Sequence, residues 1–174
     1  MRVALTGTPG VGKTTVAAIA AEHGWRVVDV KAWAQQEDAV AGFDAKDDAL
    51  AIDVAKLARR LPRDDGTNVL YEGHLSHLLP VDGAWVIRCD PRILMHRLAA
   101  RHYRWSKILE NLEAEALDVI LQEALLLERV VQRDGSRRGP EELFKAFAEA
   151  RVDALKAPDL EPVDWSDQLP IAEP

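Results

Sequence analysis

The sequence predicts an α/β fold, a parallel sheet covered by helices on both faces, with a phosphate-binding loop at the carboxyl end of its first strand. Three observations carry this. Short apolar runs alternate with stretches of helical spacing along most of the chain. The first run, Val3-Ala4-Leu5-Thr6, leads at once into Gly7-Thr8-Pro9-Gly10-Val11-Gly12-Lys13-Thr14, which has G-x-x-x-x-G-K-[ST] at every defined position. An Ala-rich helical stretch over 13–23, stopped by Gly24, follows directly.

The other elements follow in order. Residues 26–30 read as a second strand, 31–61 as helix in pieces broken near Gly42-Phe43-Asp44, and 62–68 as a polar turn. Val69-Leu70-Tyr71 is the third strand and 85–88 the fourth. Asp90-Pro91 starts a helix, because Asp caps free N–H groups and proline fits the first turn without losing a bond. Residues 106–127 read as one long helix with Ile108, Leu112, Val119, Ile120 and Leu127 inward. Residues 128–133 are the fifth strand, and Gly139-Pro140-Glu141-Glu142 opens a last helix with acids at its positive end. From Ala157 on there are four prolines, five acids and no basic residue, which reads as a loosely ordered tail. The expected division is therefore one domain over 1–156 and an acidic tail over 157–174.

A chain of 174 residues suits one domain, and 48% hydrophobic residues suffice for a core without disulfides. The single cysteine, Cys89, ends an apolar run and reads as a buried structural thiol. With no leader or membrane-length apolar run expected, the reading is a protein of the reducing cytoplasm. The net charge of −7 argues against general nucleic-acid affinity, and no DNA binding is expected. Residues 88–107 oppose that trend, with six basic residues (Arg88, Arg92, Arg97, Arg101, Arg104, Lys107) against Asp90 alone, so a local phosphate site is expected there.

The loop chemistry explains its spacing. Glycines let the backbone turn N–H groups toward phosphate, and the following helix adds its positive end. Gly7, Pro9, Gly10, Val11, Gly12, Lys13, Thr14 and Thr15 are the candidate nucleotide-binding residues, with Lys13 on the β- and γ-phosphates of ATP and the Thr14 hydroxyl on Mg²⁺. A chance glycine turn is the alternative, and the strand before and helix after it argue against that.

Such a site needs a carboxylate at the end of a neighbouring strand to organise Mg²⁺. Glu72, after the third strand, is placed for it, against the alternative of an exposed strand-end acid. His74 could orient a water or contact the γ-phosphate, or be a loop histidine held locally. His77 has only proximity in its favour and is expected to be structural. Arg97 and Arg101, four apart on one helix face, are candidates to neutralise charge on a moving phosphoryl group, against the alternative of a solvated face. Arg92 and Arg104 read as surface residues.

Beyond the loop, the sequence carries Gly42-Phe43-Asp44, Glu72-x-His74, Arg97-Leu98-x-x-Arg101-x-Tyr103, then Lys107 with Glu110-Asn111, Glu115 and Glu123-Ala124. In these it resembles the adenylate kinase isoenzyme 6 family, from Arg2 to about Leu155. The resemblance implies a nucleoside monophosphate kinase-like P-loop fold with a five-stranded parallel sheet. It implies a monophosphate-binding region over 31–60, a lid over 101–110, and adenylate kinase and ATPase activity. It also implies a small-subunit ribosomal protein as partner in ribosome maturation, and it matches Glu72 and His74 to the family's Walker B-like pair. Two positions depart from the pattern. Gln35 stands where the family often has an arginine for the acceptor phosphate, with Lys31 as its substitute, and His102 stands where glycine is usual. The expectation is transfer from Mg·ATP to AMP, to water, or to both. An ATP-switched assembly factor acting by protein binding, or a kinase for another monophosphate, are the alternatives.

Overall fold

β1 (Arg2–Thr6) lies inside the sheet with Val3, Ala4 and Leu5 fully buried, as a strand covered on both faces requires. The computed structural model describes residues 1–44, 49–62 and 65–168. After β1 come α1 (Lys13–Glu22), β2 (Arg26–Asp29), α2 (Val30–Gln36), β3 (Val40–Asp44), β4 (Ala49–Ile52), α3 (Val54–Arg59) and β5 (Val69–Glu72). Then follow β6 (Gly83–Arg88), α4 (Pro91–Ala100), α5 (Trp105–Ala116), α6 (Val119–Ala124), β7 (Val130–Asp134), α7 (Pro140–Glu149) and β8 (Asp159–Leu160). The main sheet has the order β2-β5-β1-β6-β7-β8, and every neighbouring pair is parallel. It thus has six strands where five were expected, the sixth being the two-residue β8.

The alternation of β6 divides the core. Trp85 and Ile87 face α1 and α7, where Trp85 stacks on Phe147 at 5.2 Å. Ala84 and Val86 face Leu121 and Ala124 of α6. A third cluster, with Val30, Ala34, Leu57 and Tyr71, seats α2 and α3 beside β5.

Three local expectations change. The segment read as broken helix around residue 42 is an antiparallel ribbon of β3 and β4, irregular between Val40 and Gly42; residues 45–48 of the proposed monophosphate region lie outside the described residues. The helix expected over 106–127 is two, α5 and α6. The break is at Asp118, whose φ of 59° is left-handed and whose carboxylate is held 2.5 Å from Arg88 Nη2. The tail is not loose over its described part. β8 pairs with β7, Asp159 meets Arg133 at 2.6 Å, and Glu161 accepts from Arg138 at 2.8 Å and from the Asp134 amide at 2.9 Å. Trp165 is buried, with the Arg88 guanidinium 5.1 Å over its ring. Residues 169–174 lie outside the described residues.

Candidate active site

The sheet brings the loop and the acids together by register. β1 pairs Leu5 with Glu72, and β2 pairs Asp29 with Glu72, so three carboxyl ends open into one cleft. The loop leaves β1 through Gly7, at φ 137° and so close to β6 that a Cβ would sit 2.3 Å from the Ile87 carbonyl oxygen. Gly10, at φ 94°, lets the loop press onto Leu94 and Leu98 of α4. Glycine is therefore required here by strand and helix packing as well as by phosphate approach.

Lys13 folds back into this loop. Its Nζ donates to the carbonyls of Gly7 at 2.8 Å and Thr8 at 3.1 Å, and the side chain is buried. Desolvation lowers its pKa to about 8, with Arg101 adding to the fall and the charges of Glu72 and Glu115 opposing it. Thr14 Oγ1 donates to Glu72 Oε1 at 3.5 Å. Burial raises the Glu72 pKa, Lys13 opposes the rise, and Asp29 reinforces it. A hydroxyl and a carboxylate this close are hard oxygen donors that suit Mg²⁺, an ion that keeps several waters.

His74 stands at the cleft surface. Desolvation lowers its pKa, and so do the charges of Lys13, Lys107 and Lys31, which keeps the ring neutral near pH 7. That set of cations joins α1, α2 and α5 around one point. Lys13, Thr14, Glu72 and His74 thus share a cleft. Gln35 and Lys31 are both exposed on α2.

Arg97 and Arg101 lie at the other side of the loop. Arg97 donates to the carbonyls of Val11 and Gly135, both at 3.3 Å, and lies 3.5 Å from Cys89 Sγ. Both arginines line a cavity of about 200 Å³ with Gly10, Thr15, Arg138 and Pro140. His102, between α4 and α5, has φ 58°, the left-handed region that glycine reaches without strain. Cys89 is buried, and desolvation pushes its thiol up to about 12, in keeping with a structural residue.

A family model described as an AAA domain matches residues 3–118. A protein of Archaeoglobus fulgidus named "Putative adenylate kinase" is 41% identical over 173 residues, covering 97% of this chain and 94% of its own. One of the same name from Pyrococcus furiosus is 43% identical, covering 95% and 92%. The chain belongs to this adenylate kinase-like family. The solved structure of TT1252 from Thermus thermophilus covers 89% of this member and 97% of its own chain, with a TM-score of 0.51 at 17% identity, a likeness of fold alone.

In this family member, the sequence left the support of the loop unseen. Thr8 Oγ1 donates to Glu115 of α5, and Glu115 Oε1 accepts from Arg88 Nε at 2.7 Å and from the Cys89 amide at 2.9 Å. Arg88 and Glu115 side chains are each 2% exposed, so the loop is tied to α5 by a buried ion pair. A signal existed, since Glu115 lies on the apolar stripe of Ile108, Leu112 and Ala116. Asp29, beside Glu72, was also missed. Among the described residues no helix is long and apolar enough to cross a membrane, and no cluster of three or more His, Cys, Asp or Glu residues forms a metal site.

Proposed function

We propose that the protein is a cytoplasmic adenylate kinase of the isoenzyme 6 type, passing the γ-phosphoryl of Mg·ATP to AMP and, without AMP, to water. The observation that carries this is the meeting of Lys13, Thr14 and Glu72 with a neutral His74 among Lys13, Lys31 and Lys107. The amides of Gly7, Gly10, Val11 and Gly12 cradle the donor phosphates, Pro9 shapes the loop without donating, and Thr15 lies beside them. Lys13 leaves its two carbonyls for the β- and γ-phosphates. Thr14 and Glu72 would hold Mg²⁺, which would supply charge neutralisation for the transferred group. His74 orients the acceptor oxygen, and its lowered pKa keeps a lone pair free for that proton. Lys31 stands in for the acceptor arginine that Gln35 replaces. Arg101 closes over the transferred group from the lid, while Arg97 holds the loop and the wall of the cavity that takes the donor base.

A product assay with labelled ATP, with and without AMP, tests this. Two ADP per ATP and AMP, formed well above the AMP-free release of phosphate, are expected. Phosphate release unchanged by AMP would make the protein an ATPase. A second reading, an ATP-switched factor binding a small-subunit ribosomal protein, is favoured by the exposed apolar side chains Leu78, Leu117, Val119 and Leu126. Equal partner affinity with ATP, ADP and no nucleotide would remove it.

Lys13 gives a pH signature. Phosphate favours its charged form, so binding takes up a proton once the free protein's Lys13 is neutral. ATP affinity is expected to hold below pH 8 and to fall as pH rises above it, by up to about tenfold per unit. Calorimetry in two buffers of different ionisation enthalpy measures the proton. Lys13→Arg should flatten the profile.

A further inference from the structure

We infer that His77 is a positioning residue that sets the Glu72–His74 loop through the Thr6 hydroxyl, with Glu123 selecting its tautomer; this rests on the proposed role of His74. The His77 side chain is fully buried. Its Nδ1 lies 3.0 Å from Thr6 Oγ1, and its Nε2 lies 3.0 Å from Glu123 Oε2 of α6. Thr6 Oγ1, itself buried, lies 3.2 Å from the carbonyl oxygen of His74. The chain therefore runs from α6, through His77, to the last residue of β1 and the backbone of the candidate catalytic histidine.

The proton count on this chain is restrictive. Glu123 as a carboxylate only accepts, so Nε2 must carry the proton of a neutral His77. Nδ1 is then an acceptor, and the one hydroxyl proton of Thr6 has two takers, Nδ1 and the His74 carbonyl. The shorter distance favours Nδ1. The hydroxyl proton is thus shared between the two acceptors, and the proton on His77 sets how much of the bond orienting the His74 carbonyl is kept. The other side of the loop is fixed. The Gly73 amide donates to Leu5 O at 3.1 Å, and Ser76 Oγ lies 2.8 Å from Gly73 O. Desolvation keeps His77 neutral against the pull of Glu123, in agreement with this assignment.

Glu123→Gln changes the count without changing shape. The glutamine amide can donate to Nε2, His77 then donates from Nδ1 to Thr6, and the Thr6 proton passes to the His74 carbonyl. Imidazole ¹⁵N spectra of the full-length protein without nucleotide should show His77 as the Nε2–H tautomer in the wild type and shifted to Nδ1–H in Glu123→Gln. An Nδ1–H tautomer in the wild type overturns the inference. In the transfer assay Thr6→Val should lower kcat about tenfold, the scale of one lost orienting hydrogen bond. The KM for ATP should stay within about twofold, and Thr6→Ser should restore kcat. A folded Thr6→Val with wild-type kcat also overturns it. If the wild type transfers nothing to AMP or water, the proposed function fails, and the tautomer result still decides the hydrogen-bond assignment.

Discussion

Lys13→Met is expected to lower phosphoryl transfer by about 10²–10³-fold, the scale of removing one preorganised donor from developing charge. Arg101, whose charge reaches Lys13, is already committed to the transferred group and does not enter the loop's carbonyl cradle. Lys31 and Lys107 bear on His74, and Arg97 is engaged with backbone carbonyls. The same variant carries a stability signature of opposite sign. The folded protein lowers the Lys13 pKa from 10.5 to about 8, so the unfolded chain binds the proton more tightly. Wild-type stability therefore rises with pH between these two values, and below them it carries the full cost of the buried charge. Methionine removes that cost. Lys13→Met should be at least as stable as the wild type near neutral pH and lack the alkaline rise. Steady-state rates and urea melts across the alkaline range check both halves, and a variant both inactive and less stable would mean that the loop, not the charge, was lost.

Arg88→Met should be the most destabilising of the substitutions considered. Removing the arginine leaves Glu115 buried and unpaired, a change worth about 3–5 kcal/mol. It also frees Asp118 at the corner between α5 and α6, and takes the cation from the face of Trp165. For a chain of this length the loss corresponds to a drop in Tm of about 6–20 °C. The double variant Arg88→Met with Glu115→Leu removes both charges and should recover part of that loss. It should bind ATP more weakly than the wild type, because Thr8 loses its acceptor and the loop its tie to α5. Melting curves of the two single variants and the double form a cycle. Equal Tm for Arg88→Met and the wild type would refute the account.

What the sequence displayed was local. The loop, its strand and its helix lie within residues 2–22, and glycine, lysine and threonine at fixed spacing announce them without help from elsewhere. The strands showed for the same reason, since burial on both faces leaves continuous apolar runs. What it hid depends on distant partners. Asp118 breaks a helical pattern because Arg88, thirty residues earlier, takes its carboxylate. The acids of residues 157–168 looked repulsive because their cations, Arg133 and Arg138, belong to another part of the chain. His77 looked structural because Thr6 and Glu123 approach it only through the fold. The ribbon of β3 and β4 was missed because Gly42 interrupts its alternation.

The position of β1 inside the sheet sets an order of events during synthesis. β1 is the first strand to emerge, yet both of its neighbours, β5 and β6, lie in residues 69–88. At about 5–20 residues per second the first strand waits several seconds with both edges unpaired. The loop at its end cannot take its final shape before then, because the Ile87 carbonyl against which Gly7 packs belongs to β6. The motif most easily read at the start of the chain is thus completed only after half the chain has been made.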